Sequence, residues 1–130
     1  MKRNTFPLKE HLKSKSVIEQ LYANGSSVTA YPLRAVFLEQ DCEKQQPAAV
    51  ILISVAKKRF RHAVDRNLVK RRLREAYRLN KHSFVETLQQ NGRRMAVSIL
   101  YLDKQHHSYN HLQARLKKLL QMIISKEIEQ

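Results

Sequence analysis

The 130-residue sequence predicts an α+β domain, a two-layer sandwich with helices packed on a mixed sheet of about four strands. Three observations carry this. The runs PLRAVFLE (32–39), AAVILISV (48–55) and MAVSILYL (95–102) are short, apolar and bounded by polar or turn-forming residues, as strands are. Segments with apolar residues every three or four positions precede, separate and follow them. The resulting order is αβββαβα, counting a short edge piece around Val28. With two glycines, three prolines, no low-complexity stretch and no repeat at a solenoid period, residues 1–130 are expected to form one domain, with flexible ends at about 1–7 and 125–130.

Each element has a local reason. In SKSVIEQLYANG (14–25), Ser16 and Glu19 have the spacing of a capping box, Val17, Ile18, Leu21 and Tyr22 form an apolar stripe, and Asn24 and Gly25 suit a left-handed helix end. The strand runs 32–39 and 48–55 are separated by DCEKQQP. The second is apolar on both faces, which predicts a central position in the sheet. A helix from about His62 to Leu79 follows, then a turn at Asn91 and Gly92 and the strand 95–102. In SYNHLQARLKKLLQMII (108–124), Ser108 is the expected N-cap, and Leu112, Leu116, Leu119, Leu120 and Ile123 share one face.

Charge bounds the function. The chain carries 25 Lys and Arg against 11 Asp and Glu, a net +14, which calls for a polyanionic partner. Eleven of the basic residues lie between Lys57 and Lys81, where there are two acids, so the charge is focused on one surface. At 100° per residue, Asn67, Lys70, Arg71, Arg74 and Arg78 fall on one side of the helix, while Leu68, Val69, Leu73, Ala76 and Leu79 are available to seat it on the sheet. Like charges one turn apart do not stabilise a helix, and Arg71 with Glu75 offsets little of the repulsion. The arginine fork suits phosphate, and Asn67 adds a group that both donates and accepts. An anionic membrane fits less well, because the apolar side of this helix is needed for the core.

Other chemistries find little support. The acids are scattered singly, without the converging carboxylates of a two-metal nuclease. His107 and His111 are four residues apart but have no third ligand near in sequence, so a solvated or capping role is expected and no metal site is assigned. Cys42, the single cysteine, lies between Asp41 and Glu43 and reads as a loop thiol in a reducing cytoplasm. No apolar run is long enough to span a bilayer, and the first residues lack the apolar middle of a signal peptide, so a cytoplasmic location is expected.

The helix reads RNLVKRRLRE from Arg66 to Glu75, preceded by Lys57 and Lys58 at the end of a strand. This resembles the signature of bacterial ribonuclease P protein subunits, RNRxKRxxRE, and the order of elements along the chain is similar too. Leu68 stands where the family has its second motif arginine, and Arg72, one turn further on, is the candidate replacement. RFRH (59–62) replaces a family segment that normally contains glycine and is about one residue shorter.

The resemblance implies a fold like that of ribosomal protein S5 domain 2 and a role in a ribonucleoprotein endonuclease. In that family the RNA is catalytic: it uses Mg²⁺ to hydrolyse the bond joining the 5′ leader to the mature end of precursor tRNA. The polypeptide is an auxiliary subunit with no catalytic residue, protein metal site or small-molecule substrate. It places Lys57, Lys58, Arg66, Asn67, Lys70, Arg71 and Arg74 against the catalytic RNA. The leader is expected in an aromatic-lined cleft with Tyr22, Phe37 and Arg34, although plain packing of the two aromatics and solvation of Arg34 are equally open readings. On charge alone, a ribosomal or ribosome-assembly protein that binds rRNA is the main alternative. A major-groove DNA reader lacks an evident partner helix.

Overall fold

The computed structural model describes residues 6–41 and 46–128, and Cys42 lies outside them. Helix α1 (Lys15–Asn24) is followed by strands β1 (Ser26–Ala30), β2 (Leu33–Gln40) and β3 (Ala49–Ser54), helix α2 (Ala63–Gln90), strand β4 (Arg94–Tyr101) and helix α3 (Tyr109–Glu127). A single 3-10 turn, Leu8–Glu10, precedes them. The sheet order is β1-β2-β4-β3, with β3 parallel to β4 and the other pairs antiparallel. The architecture is therefore the expected α+β arrangement with a mixed four-stranded sheet.

The two faces of the sheet have different covers. Ala35, Phe37, Ile51, Met95, Val97 and Ile99 join Val69, Leu73, Tyr77 and Phe84 of α2 and Leu112, Leu116 and Leu119 of α3 in the main core. On the other face Val36, Val50 and Ala96 pack with Leu12 and Leu21, the latter from α1. Alternation along each strand makes this division: residues two apart share a face.

Four local expectations change. The α1 cap is Ser14, whose Oγ accepts from the Val17 N–H at 3.4 Å; Ser16 lies inside the first turn, so no Ser16–Glu19 box forms. Gly25 is extended (φ −73°), not left-handed. Its requirement is space, because a Cβ there would collide with the Leu21 carbonyl and come within 3.0 Å of both the Phe37 carbonyl oxygen and Val36 Cγ1. Gly25→Ala is accordingly expected to cost about 1–3 kcal/mol by overpacking, read as a lower midpoint in urea unfolding with an unchanged slope.

β3 is an edge strand and β4 is central. The β3 edge is nonetheless shielded, since the Leu12 N–H donates to the Ile51 carbonyl at 2.8 Å and His11 bridges to Ile51, which explains its two-sided apolar character.

Helix α2 continues to Gln90, well past Leu79. Its buried stripe runs Val69, Leu73, Ala76, Tyr77, Lys81, Phe84, Leu88, so it passes Leu79, which is exposed. The helix stops at Asn91–Gly92, where Gly92 adopts φ 62° and the Arg93 N–H returns to the Leu88 carbonyl.

The first residues described are tied to α2. Lys81 Nζ and Glu10 Oε1 form a 2.6 Å ion pair with side chains 8% and 12% exposed, and Phe6 packs against Tyr77 with ring centroids 5.1 Å apart. Arg93, just past α2, reaches Glu39 and Glu127, joining β2 to the last turn of α3.

Candidate nucleic-acid interface

The carboxyl ends of β3 and β4 and the amino end of α2 meet at one edge of the sheet, and the predicted cations gather there. β3 ends at Ser54, and Lys57 and Lys58 follow in an exposed turn closed by the Arg59 N–H on the Ala56 carbonyl. Phe60 then turns inward: it is buried and stacks on His106 at 4.6 Å. This anchor fixes the RFRH segment without a glycine.

Helix α2 begins at Ala63 with no side-chain cap. Asp65 in its first turn complements the helix dipole, and its carboxylate lies 3.1 Å from His106 Nε2.

The motif residues separate into two groups. Asn67, Arg71 and Arg74 are exposed and Lys70 is half-buried on the outer side of α2. Among the described residues, no hydrogen bond or ion pair engages these four side chains or those of Lys57 and Lys58, so their donors are free for a ligand. Arg66 differs, since its guanidinium donates to the carbonyls of Phe60 (2.8 Å) and Arg61 (3.2 Å) and holds the preceding loop.

Arg72, the candidate replacement for the missing motif arginine, donates through one guanidinium nitrogen to the His107 carbonyl at 3.1 Å and ties α2 to the loop before α3. Glu75 pairs with Arg78, Nε to Oε2 at 3.0 Å, rather than with Arg71. That bond holds the Glu75 carboxyl below its ordinary range and raises Arg78, so the one acid of the motif leaves Arg71 unengaged.

The leader candidates fall on different faces. Tyr22 is 49% exposed on α1, and its hydroxyl is 2.6 Å from Ser98 Oγ on β4, which satisfies that buried serine. Arg34 is exposed on the same face, one cross-strand row away: Ser98 pairs with Val36, and Leu100 pairs with Arg34. The row Thr29, Arg34, Leu100, Ser54 lies beside α1 and forms an open strip of sheet. Phe37 is 1% exposed in the main core, on the opposite face among α2 and α3 side chains, so it is a packing residue and is removed from the leader set.

Two exposed groups escaped sequence reading. Tyr31, 57% exposed, sits at the β1–β2 turn, signalled only by a Tyr-Pro dipeptide between two strands. Lys13 precedes α1 and carried no periodic signal.

His107 Nε2 is 2.7 Å from Asp103 Oδ2, and its ring stacks on His111 at 4.9 Å. Among the described residues no group of three or more His, Cys, Asp or Glu is placed to hold a metal, and no helix is long and apolar enough to cross a membrane.

The family model described as Ribonuclease P matches residues 6–124. The chain belongs to the ribonuclease P protein family. It is 35% identical over 111 residues to the ribonuclease P protein component of Porphyromonas gingivalis, covering 85% of this chain and 80% of that one. Its identity to the same component of Chlorobium phaeobacteroides is 30% over 135 residues, covering 96% and 92%. The fold matches the RNase P protein of Staphylococcus aureus with a TM-score of 0.70 at 20% identity, covering 88% of this chain and 94% of that one. In this ribonuclease P protein the free cations of α2 and the open strip beside α1 belong to elements on opposite faces of the sheet and approach each other at β3, where Arg74 and Leu52 line one cavity.

Proposed function

We propose that this chain is the protein subunit of a cytoplasmic ribonuclease P ribonucleoprotein, which removes the 5′ leader from precursor tRNA by endonucleolytic hydrolysis. The observation that carries the reading is the set of unengaged donors on Lys57 and Lys58, in the turn before α2, and on Asn67, Lys70, Arg71 and Arg74, on the outer side of α2, in a member of this family. These bind the catalytic RNA, with Arg66 contributing through the loop it holds and through whichever of its donors remain. Tyr22 and Arg34 receive the leader: an exposed aromatic stacks on an unpaired base whatever its identity, and a cation one row away meets its phosphate.

The chemistry belongs to the RNA and its Mg²⁺. The polypeptide supplies charge and stacking, which suits substrates whose leaders vary in sequence. A ribosomal or ribosome-assembly role rested on charge alone, a less specific observation than membership of this family.

Reconstitution tests the proposal. Adding the protein to the catalytic RNA at low Mg²⁺ is expected to stimulate cleavage of a precursor tRNA carrying a leader, with little cleavage by the protein alone. Equal cleavage with and without protein would remove the reading.

A further inference from the structure

We propose that a notch at the outer edge of β3 holds one unpaired nucleotide of the leader, an inference that rests on the ribonuclease P reading above. The cavity, about 130 Å³, opens between the N-terminal segment, β3 and α2. Its apolar lining comes from Leu12 and from Ile51 to Ile53.

Phe6 and His11 supply an aromatic wall, stacked with centroids 4.0 Å apart and planes 17° from parallel. The His11 ring is held further by Nε2 at 3.2 Å from the Phe6 carbonyl oxygen. Among the described residues Phe6 is the only ring that His11 meets, and both rings line the notch.

Lys13, from the N-terminal segment, and Arg74, from α2, are both exposed and line the notch, and among the described residues no acid does. Glu10, the acid nearest in sequence, is occupied by Lys81. A flat ring, an apolar floor and two cations for a phosphate are what a single unstacked nucleotide requires.

Position argues for the leader as its source. Leu52 lines the notch and also pairs with Ser98, the residue that the Tyr22 hydroxyl reaches. A strand running over the open sheet beside α1 and leaving it across β3 therefore passes directly into the notch. Arg74 meets it there from the motif helix, so the notch joins the leader surface to the helix that faces the catalytic RNA.

The test uses the reconstituted holoenzyme and precursor tRNAs whose leaders are lengthened one nucleotide at a time. With wild-type protein, affinity should rise in steps as the leader grows. Lys13→Ala and His11→Leu should each abolish one late step, a loss of at least about fivefold, and leave shorter leaders bound as in wild type. Lys13 is exposed, so its variant should unfold at the wild-type temperature and keep the result interpretable if His11→Leu is unstable.

Unchanged late steps, or a loss equal at every leader length, would overturn the proposal. So would weakened binding of the catalytic RNA with all leader steps intact, which would assign the nucleotide to that RNA. Failure of the wild-type protein to stimulate cleavage would remove the underlying reading, whereas stimulation with unaltered variants removes this proposal alone.

Discussion

Replacing Lys70, Arg71 and Arg74 together by alanine is expected to weaken binding of the catalytic RNA by roughly a hundredfold near physiological salt and to reduce the slope of log affinity against log salt by about 2 to 3. Each cation that neutralises a phosphate releases condensed counterions worth roughly 0.7–0.9 of slope, and three such contacts account for both figures. Because Arg71 and Arg74 are exposed, Lys70 only half-buried, and none of the three is engaged within the described residues, the fold should survive, with alanine favouring helix. Filter binding across a salt series, with thermal unfolding as the control for fold, reads the result. An unchanged salt slope would place the RNA elsewhere on the protein.

The second large effect concerns stability. Lys81→Met should lower stability by about 3 kcal/mol, or roughly 10 °C in Tm for a domain of this size, because Glu10 would face an apolar group with its side chain only 12% exposed. The cost comes chiefly from the abandoned charge, so Lys81→Met combined with Glu10→Leu should recover most of it. The same pair anchors the segment that shields the β3 edge, so the single variant should also speed hydrogen exchange at the Leu12 amide, which donates to Ile51. If the double variant were as unstable as the single one, packing around Lys81 would be the cause, and the ion pair would not.

The fold was legible where local pattern and tertiary need coincide. The apolar runs 32–39, 48–55 and 95–102 became β2, β3 and β4 within a residue or so at each end, because each packs its apolar residues on one or both faces of a single sheet. Strand order was not legible. β3 reads as central because both its faces are apolar, but what covers its open edge is the chain near Leu12, some forty residues away, and no local pattern announces that pairing. The second half of α2 was missed for a similar reason: Lys81 looks like a surface residue until its partner Glu10, distant in sequence, is in place.

The site was legible to different depths. The spacing of Asn67, Lys70, Arg71 and Arg74 requires them to share one side of a helix, and they do. The roles of Arg66 and Arg72 depend on the carbonyls of Phe60, Arg61 and His107, and so on how two loops fold back on α2. Phe37 was avoidable as a leader candidate: it lies three residues from Arg34 on one strand, and odd spacing puts two side chains on opposite faces. Tyr22 and Arg34 share a face because β2 and β4 pair in the register that sets Ser98 opposite Val36 and Leu100 opposite Arg34. That register is a tertiary fact.

If the unengaged cations of α2 bind the catalytic RNA and thereby support its cleavage of precursor tRNA, their removal must show in leader removal itself. The measurement is a titration of wild-type protein and the Lys70, Arg71, Arg74 triple alanine variant into the catalytic RNA at low Mg²⁺. The wild-type protein should stimulate cleavage, and the variant should do so only at roughly a hundredfold higher concentration. Stimulation by the variant at the wild-type concentration would show that these cations do not bind the catalytic RNA.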